Sequence, residues 1–307
     1  MAEPAVVRQW RSARPVQLGA ILASFRRGAG DPTFRVGQGG SVARGIRTPA
    51  GPATLELDCA PRESEVSARA WGPGAGWAIE HAPDLLGERD DPRGFVGLHP
   101  PVAEALRRFP GWRVPRSGLV LDALVPAIIE QKVTGKEAFG GYQRLVRRYG
   151  EGAPGPWADA GLRVPPDAAG WRAIPSWEFL KASVDAGRSD TIQRVCRVAG
   201  SLERLTARAP EAGQAGLRSV AGVGVWTTAE VAQRAWGDAD AVSFGDYHVA
   251  RTIGWTLVGQ ELDDDGLATL LEPYAGHRYR VQRLLELAGH QRPRRGPRMA
   301  PRTHLPG

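Results

Sequence analysis

The sequence is poor in cysteine, with Cys59 and Cys196 as the only two thiols in 307 residues. Two thiols cannot complete a four-cysteine iron–sulfur cluster or zinc site, and they imply no disulfide framework. No window approaches the roughly 18 apolar residues of a membrane-spanning helix, and the opening MAEPAVVRQW lacks the basic-then-apolar order of a signal peptide. We therefore expect a cytoplasmic protein with no membrane association, no metal and no cofactor.

Acidic residues are also in the minority. Lys and Arg number 40 against 33 Asp and Glu, giving a net charge of +7 and a pI near 10.0. This balance favours an anionic partner, although composition alone is weak evidence for nucleic acid. Residues 291–307 concentrate arginines among prolines, a composition that cannot bury a core, and we predict a disordered basic tail there.

Strand-like runs are confined to the first third of the chain, and helical patterns follow. Gly and Pro separate the predicted strands, which are Thr33–Val36, Ser41–Arg47, Ala53–Leu57 and Val66–Trp71. From Leu119 onward apolar residues recur every three or four positions. The predicted fold is α+β, with an N-terminal segment (1–17), an antiparallel-sheet α+β domain (18–112), a mostly α-helical domain (113–290) and the tail (291–307).

Local signals place several helix ends within the helical part. Asp122 is predicted to cap the helix that begins after Leu119. Thr134 and Glu137 have the spacing of a capping box, which predicts a second helix directly afterwards. The last helix is predicted to stop at Gly289.

A Gly-x-Gly turn joins two helices near residue 222. Leu217 and Val220 end the first helix, Gly222 and Gly224 form the turn, and Thr227 lies in the first turn of the second helix. Backbone N–H groups at such a helix N-terminus can bind a phosphate without contacting a base. The alternative is an ordinary helical turn with glycines required only for its geometry.

One aspartate follows this turn at the start of another predicted helix. Asp246 lies in Phe244-Gly245-Asp246-Tyr247-His248-Val249. Taken alone, the residue fits an N-cap as well as it fits a catalytic carboxylate. The turn and the aspartate together are more specific than either one.

The combination resembles the helix-hairpin-helix, Gly/Pro-rich loop and aspartate of the HhH-GPD superfamily of DNA glycosylases, and most of all the 3-methyladenine DNA glycosylase II (AlkA) type. Residues 127–134 resemble the family's Gln-x-Val-Ser helix turn, and residues 273–278 its Pro-Trp…Arg segment. The resemblance implies a helix-hairpin-helix glycosylase core, an extra N-terminal α+β domain, and a monomer that binds double-stranded DNA with damaged bases.

The same resemblance assigns the chemistry. Asp246 becomes the catalytic carboxylate, which stabilises an oxocarbenium-like sugar or aims a water at it. Trp226 stands where bifunctional members have a Schiff-base lysine, so base removal is expected without strand cleavage. An indole at this position also suits stacking on a flipped base, with core packing as the alternative. Because an alkylated purine is already cationic, one carboxylate suffices for it.

Other predicted site residues match the family's pattern less closely. Lys132 matches the position from which the family inserts a wedge into the gap left by the flipped nucleotide, but relatives place Leu or Gln there, and contact with a phosphate is the alternative. Gln131 keeps the family's residue and is expected to face the orphaned base, with an ordinary exposed amide at a helix end as the alternative. Arg278 and the hairpin residues Gly222, Gly224 and Thr227 are expected to contact DNA, and Tyr247 flanks the pocket. Glu286 replaces a pocket tryptophan, so it either attracts cationic lesions or faces solvent. The resemblance also implies a monovalent-cation site, formed by the backbone carbonyls of Arg218, Val220 and Val223.

The rival hypothesis is a non-catalytic helix-hairpin-helix protein that recognises DNA or its damage. Such a protein needs the hairpin and the basic surface, and it does not need Asp246. A redox-cluster glycosylase is disfavoured by the scarcity of cysteine and by Trp226. We therefore expect an enzyme that removes alkylated purines and leaves an abasic site.

Overall fold

The computed structural model describes residues 4–60 and 64–292, so all but the first two residues of the predicted basic tail lie outside the described residues. The described residues contain 14 α-helices: α1 Leu18–Leu22, α2 Ala75–Leu85, α3 Pro100–Arg108, α4 Val120–Ile129, α5 Gly135–Tyr149, α6 Ala168–Ala173, α7 Ser176–Lys181, α8 Ala186–Arg197, α9 Ala199–Glu203, α10 Pro210–Arg218, α11 Val225–Val231, α12 Val249–Val258, α13 Asp264–Leu271 and α14 Arg278–Leu287. Within these same ranges, no helix has the length and apolarity needed to cross a membrane.

The strands within the described ranges are β1 Val6–Arg11, β2 Phe34–Val36, β3 Val42–Thr48, β4 Gly51–Ala60, β5 Glu65–Trp71, β6 Glu151–Gly152 and β7 Arg163–Val164. The first five form one antiparallel sheet in the order β1-β5-β4-β3-β2. The predicted α+β class and all four predicted strands are confirmed. The edge strand β1 was not predicted, and it lies in the segment set apart as 1–17.

One face of the sheet is covered by helices. Leu55 and Leu57 of β4 and Ala78 of α2 share a buried cluster because alternate residues of a strand point to the same face. Tyr279 and Leu284 of α14 belong to the same cluster. The last described helix therefore shares an apolar core with the N-terminal sheet.

The helical part contains two further apolar clusters. The larger surrounds α4, whose Leu124, Ile128 and Ile129 are fully buried. The smaller joins α3 to α12, α13 and α14 through residues such as Val102, Ile253, Leu267 and Val281. The connection 237–248, which carries Asp246, runs from the larger cluster to the smaller one.

Buried ion pairs tie the N-terminal part to the helices. Arg44 of β3 lies 2.8 Å from Asp122 of α4, and Asp90 lies 2.6 Å from Arg280 of α14, with all four side chains largely buried. A buried charge is tolerated when it is paired in this way. Asp122 therefore serves as the ion-pair partner of Arg44. The prediction that Asp122 caps α4 was wrong.

The N-terminus of α4 is capped by a residue from a distant part of the chain. Both carboxylate oxygens of Glu203 accept backbone N–H groups, from Val120 and Leu121, at 2.8 Å each. Leu119 occupies the N-cap position and offers no side-chain acceptor. Two of the helix's free donors are thereby satisfied by α9.

The cap of α5 is local, as predicted. Thr134 is the N-cap, and its hydroxyl accepts the N–H of Glu137 at 3.3 Å. At the other end of the chain, α14 ends at Leu287 and Gly289 adopts a φ of +81°, in agreement with the predicted stop.

Candidate active site

The hairpin between α10 and α11 requires a glycine at position 222. Gly222 has a φ of +96°, and a Cβ there would lie 2.3 Å from Oγ1 of Thr191. A side chain at this position would therefore push the turn away from α8. The positive φ and the close approach to α8 therefore both require glycine at position 222.

Gly224 has a different role in the same turn. Its φ is −94°, which any residue adopts, and a Cβ would meet no atom within 4 Å. Gly224 is the N-cap of α11, and no described side chain caps that helix end. The open space leaves the first N–H groups of α11 accessible to an anion of the size of phosphate.

The turn between α4 and α5 is bonded to the hairpin through Gln131. Its Nε2 donates to the carbonyl oxygen of Gly222 at 2.9 Å and to Oγ1 of Thr227 at 2.8 Å. Thr227 as a whole residue is only 2% exposed. Gln131 thus holds two predicted DNA-contacting segments together, and the contact of Thr227 with DNA stays a prediction.

Lys132 occupies the apex of that turn. The residue is exposed and has a φ of +55°, the left-handed region that favours glycine. A non-glycine residue in this conformation carries local strain, and such residues concentrate at functional positions. The predicted wedge position is therefore held in an unusual backbone conformation beside the hairpin.

Asp246 lies just before α12 and is held by one of its two oxygens. Oδ1 accepts the N–H of His248 at 2.7 Å and of Val249 at 3.1 Å. Oδ2 has no hydrogen-bond partner within residues 4–60 and 64–292. The carboxylate therefore partly serves as the helix cap that was weighed as an alternative, and it also keeps one oxygen available.

The Asp246 turn packs against the start of α11. A Cβ on Gly245 would lie 3.7 Å from Cβ of Trp226, and Gly245 itself donates its N–H to Oδ2 of Asp264 at 2.8 Å. Nε1 of Trp226 is buried and lacks a partner among the described atoms. The turn that carries Asp246 thus lies against the residue that carries the predicted stacking indole.

A hydrogen-bonded chain runs beneath this turn. Ser243 donates its hydroxyl to Oε1 of Glu230 at 2.6 Å, and Gln282 of α14 donates to Oγ of Ser243 at 3.2 Å. A π-helical turn, Ala232–Trp236, continues α11 and carries Arg234, whose Nη1 donates to Oε2 of Glu230 at 2.8 Å. Glu230 is thus firmly partnered on both oxygens.

Glu286 is bonded along its own helix. Its oxygens accept from Gln282 at 3.0 Å and from Arg283 at 2.8 Å, and its side chain is 41% exposed. Gln282 also reaches Ser243, so Glu286 connects to the polar chain under the aspartate turn. Its effect on lesion choice stays a prediction.

A second carboxyl group, which the charge of Asp246 influences, was not predicted from the sequence. Glu130 ends α4, and its Oε1 lies 2.9 Å from Nε of Arg27. Burial raises the pKa of Glu130, with Arg27 opposing this change and the charges of Glu230 and Asp246 adding to it. A charged residue directly after the apolar run 127–129 was the available signal, and its partner Arg27 is too far away in sequence to be inferred.

Two predicted site residues are engaged in other contacts. Tyr247 is 63% exposed, with Cζ of Arg251 at 4.1 Å and Cζ of Arg292 at 5.8 Å from its ring centre. Arg278 donates its backbone N–H and its Nε to Oδ1 of Asp240 at 3.0 and 2.8 Å. Arg278 thereby fastens the connection 237–248 to α14, and its contact with DNA stays a prediction.

The proposed cation ligands lie in one hairpin. Arg218 ends α10, while Val220 and Val223 belong to the turn, where the Val220 carbonyl accepts the Val223 N–H at 3.0 Å. A surface groove of about 560 Å³ borders the same turn and is lined by Arg194 and Arg197. The groove does not include Trp226 or Asp246, and its basic rim extends the hairpin surface instead.

No protein-family model matches the chain, and no curated protein sequence does. Solved structures do match. A 3-methyladenine DNA glycosylase from Archaeoglobus fulgidus has a TM-score of 0.73 at 17% identity, covering 91% of this chain and 97% of that one. An 8-oxoguanine glycosylase/lyase from Clostridium acetobutylicum, bound to double-stranded DNA, has 0.68 at 11% over 94% and 98%.

A third structure, the Schizosaccharomyces pombe 3-methyladenine DNA glycosylase in complex with abasic DNA, has a TM-score of 0.51 at 15% identity and covers 62% of this chain and 92% of that one. Structural matches at such low sequence identity establish the fold and leave the chemistry open. The structural matches confirm the predicted fold: this chain has the fold shared by these DNA glycosylases.

Proposed function

We propose that the protein is a monofunctional DNA glycosylase that removes damaged purines, in the first place cationic alkylated ones such as 3-methyladenine, and leaves an abasic site. The observation that carries the proposal is the Asp246 carboxylate. It is fixed through Oδ1, it keeps Oδ2 unpartnered among the described residues, and the preceding residue, Gly245, lies against Trp226 at the hairpin.

Asp246 performs the central chemical role. As the base leaves, positive charge develops on the sugar, and a fixed carboxylate stabilises it without having to reorganise. The two backbone N–H groups on Oδ1 set the orientation of the group in advance. Oδ2 then faces the sugar or accepts a proton from the attacking water.

Trp226 supports removal of the base without strand cleavage. Lyase chemistry needs an amine that forms a Schiff base with the sugar, and an indole has none. The partly buried ring instead offers a surface on which a flipped base can stack. The lack of an amine at this position favours a hydrolytic enzyme.

The hairpin and its surroundings provide the DNA contact. The uncapped start of α11 binds one phosphate, and exposed Arg194 and Arg197 lie along the adjacent groove. Lys132, at the apex of the neighbouring turn, enters the space that the flipped nucleotide leaves. Two solved structures with this fold are complexes with DNA, which agrees with this assignment.

The test is release of free base from methylated duplex DNA under single-turnover conditions. Wild-type protein should release 3-methyladenine and 7-methylguanine, produce no strand nicks, and yield no covalent adduct with borohydride. Asp246→Asn should slow release by at least about 10²-fold because the amide cannot stabilise the sugar cation. DNA binding by this variant should be retained.

Asp265→Asn is the matched control, since Asp265 is exposed on α13 and outside the site. This variant should release base at the wild-type rate. Wild-type protein that binds DNA and releases no base would instead identify a non-catalytic binding protein. A trapped Schiff base would show that the monofunctional assignment is wrong.

A further inference from the structure

A buried serine lies three residues before Asp246, and its hydroxyl has a full set of hydrogen-bond partners. Ser243 is 1% exposed. Its Oγ accepts Nε2 of Gln233 at 2.8 Å and Nε2 of Gln282 at 3.2 Å, and it donates to Oε1 of Glu230 at 2.6 Å. A hydroxyl has one proton to donate and two lone pairs to accept with, so these three bonds use its whole capacity.

The backbone of Ser243 is fixed as well. Its N–H donates to Oε1 of Gln282 at 3.2 Å, so one amide side chain is bonded to both the backbone and the hydroxyl of the serine. The Ser243 carbonyl oxygen in turn accepts the N–H of Asp246 at 3.2 Å. A direct hydrogen bond therefore joins this buried residue to the proposed catalytic one.

The helix that begins at the hairpin supplies two of the three partners. Glu230 and Gln233 are three positions apart, so α11 and its continuation present both on one face. Gln233 belongs to the π-helical turn Ala232–Trp236, a form that is frequent at functional sites. Arg234 of the same turn holds Glu230 through its Nη1, at 2.8 Å. One helix thus extends from the proposed phosphate contact at Gly224 to the support of the aspartate turn.

The other bonds of the Asp246 turn do not connect it to the hairpin helix. The carboxylate accepts from His248 and Val249, which belong to the same stretch of chain and move with it. The N–H of Gly245 donates to Oδ2 of Asp264 at 2.8 Å and ties the turn to α13. The bond to Ser243 ties it to α11 and α14. Ser243 is therefore the polar link between the aspartate turn and the helix that starts at the proposed DNA contact.

We propose that Ser243 is a positioning residue: its buried hydroxyl, held by α11 and α14, sets the place of Asp246 relative to the hairpin. The inference rests on the glycosylase function proposed above and adds a residue to its site. Ser243 transfers no proton and does not touch the substrate, so it acts only through Asp246. Its loss would leave two amide donors and a carboxylate oxygen without their common partner, and the turn would shift to satisfy them.

The experiment measures release of 7-methylguanine from duplex DNA under single-turnover conditions, together with the dissociation constant for the same duplex. Ser243→Ala should lower the maximal rate by about 10- to 10²-fold, since a displacement of about 1 Å at a reacting group has an effect of this size. The dissociation constant should stay unchanged because the hairpin is intact.

Ser189→Ala is the matched control for loss of a buried hydroxyl. Ser189 of α8 is 4% exposed, and its Oγ donates to the carbonyl oxygen of Ala186 at 3.0 Å. The bond lies within its own helix and does not involve the aspartate turn. This variant should keep both the maximal rate and the affinity of the wild type.

A double-mutant cycle with Asp246→Asn separates positioning from general damage to the fold. If Ser243 acts through the carboxylate, Ser243→Ala should leave the residual rate of Asp246→Asn unchanged, because residues that act as a unit are not additive. A merely structural role would slow both backgrounds by the same factor. Gln282→Met removes both bonds to Ser243 with a side chain of similar length, and it should give the same pattern.

The outcomes separate this role from the function on which it rests. Ser243→Ala with the wild-type rate, a rate loss that weaker DNA binding accounts for, or equal slowing in both backgrounds overturns the positioning role. If Ser243→Ala does not fold, Gln282→Met is put through the same cycle and judged in the same way. Wild-type protein that releases no base, or Asp246→Asn that releases it at the wild-type rate, overturns the function proposed above instead.

Discussion

The two ends of α4 each hold a buried glutamate, and the two residues have different surroundings. At the N-terminus, Glu203 accepts two backbone N–H groups, one on each oxygen. At the C-terminus, Glu130 is paired with the side chain of Arg27 and is close to two further carboxylates. Burial raises the pKa of both residues, so burial alone does not distinguish them.

The difference lies in what the carboxyl groups contact. Backbone amides cannot move or change charge, and a carboxylate that they hold completes a helix. A guanidinium group and neighbouring acids, in contrast, shift the pKa of the carboxyl group that they surround. Shifted pKa values of this kind are common at functional sites. Glu203 of α9 thus completes the start of α4, whereas Glu130 at the end of α4 belongs to a network of charges.

The largest expected effect on stability comes from Glu203→Gln. The amide nitrogen would face a backbone N–H donor, so one bond would be lost and a buried donor left unpaired. We expect the free energy of unfolding to fall by about 1–3 kcal/mol, measured by urea denaturation at neutral pH. An equal loss for Glu211→Gln, an exposed residue of α10, would contradict this explanation.

Glu130→Gln should have a smaller effect on stability, within about 1 kcal/mol at neutral pH. The Gln carbonyl still faces the guanidinium group of Arg27, and the folded state no longer has to bury an ionising acid. Because the pKa of Glu130 is raised on folding, the folded state binds more protons, and wild-type stability should fall as pH rises from the ordinary glutamate range through the raised pKa. Urea denaturation between about pH 4 and 8 should show that the free energy of unfolding depends less on pH in the variant than in the wild type. An equal dependence in both proteins would contradict the raised pKa.

Lys132→Gly should give the smallest change, and of opposite sign. Glycine removes the cost of the positive φ, so the free energy of unfolding should rise by up to about 1 kcal/mol, while base release slows because the side chain at the turn apex is lost. Lys132→Ala is the control, since it removes the side chain and keeps the strain. If glycine and alanine give equal stability, the turn at Lys132 is not strained.

The sequence predicted features whose signals are local. The sheet strands, the Thr134 cap and the hairpin glycines each depend on residues a few positions apart, and the structure has all of them. The edge strand β1 was missed because its residues are almost all exposed. An edge strand that buries no face leaves no alternation of apolar and polar residues to detect.

The features that were not predicted depend on contacts between distant residues. Asp122 has a good position for a cap, but Arg44 takes it as a buried partner and Glu203 supplies the cap from 82 or 83 positions away. Glu130 likewise acquires its character from Arg27, Glu230 and Asp246. Such charge networks become visible only after the chain has folded.

The two native cysteines make the protein well suited to site-directed labelling. Burial raises the pKa of the Cys59 thiol and raises that of Cys196 to about 12, so both remain protonated and unreactive under ordinary labelling conditions. A single cysteine introduced on the surface, for example by Lys132→Cys, would therefore be the one thiol to react with a maleimide dye. A fluorophore at the apex of that turn would report directly on the moment when DNA reaches it, without removal of any native residue from the core.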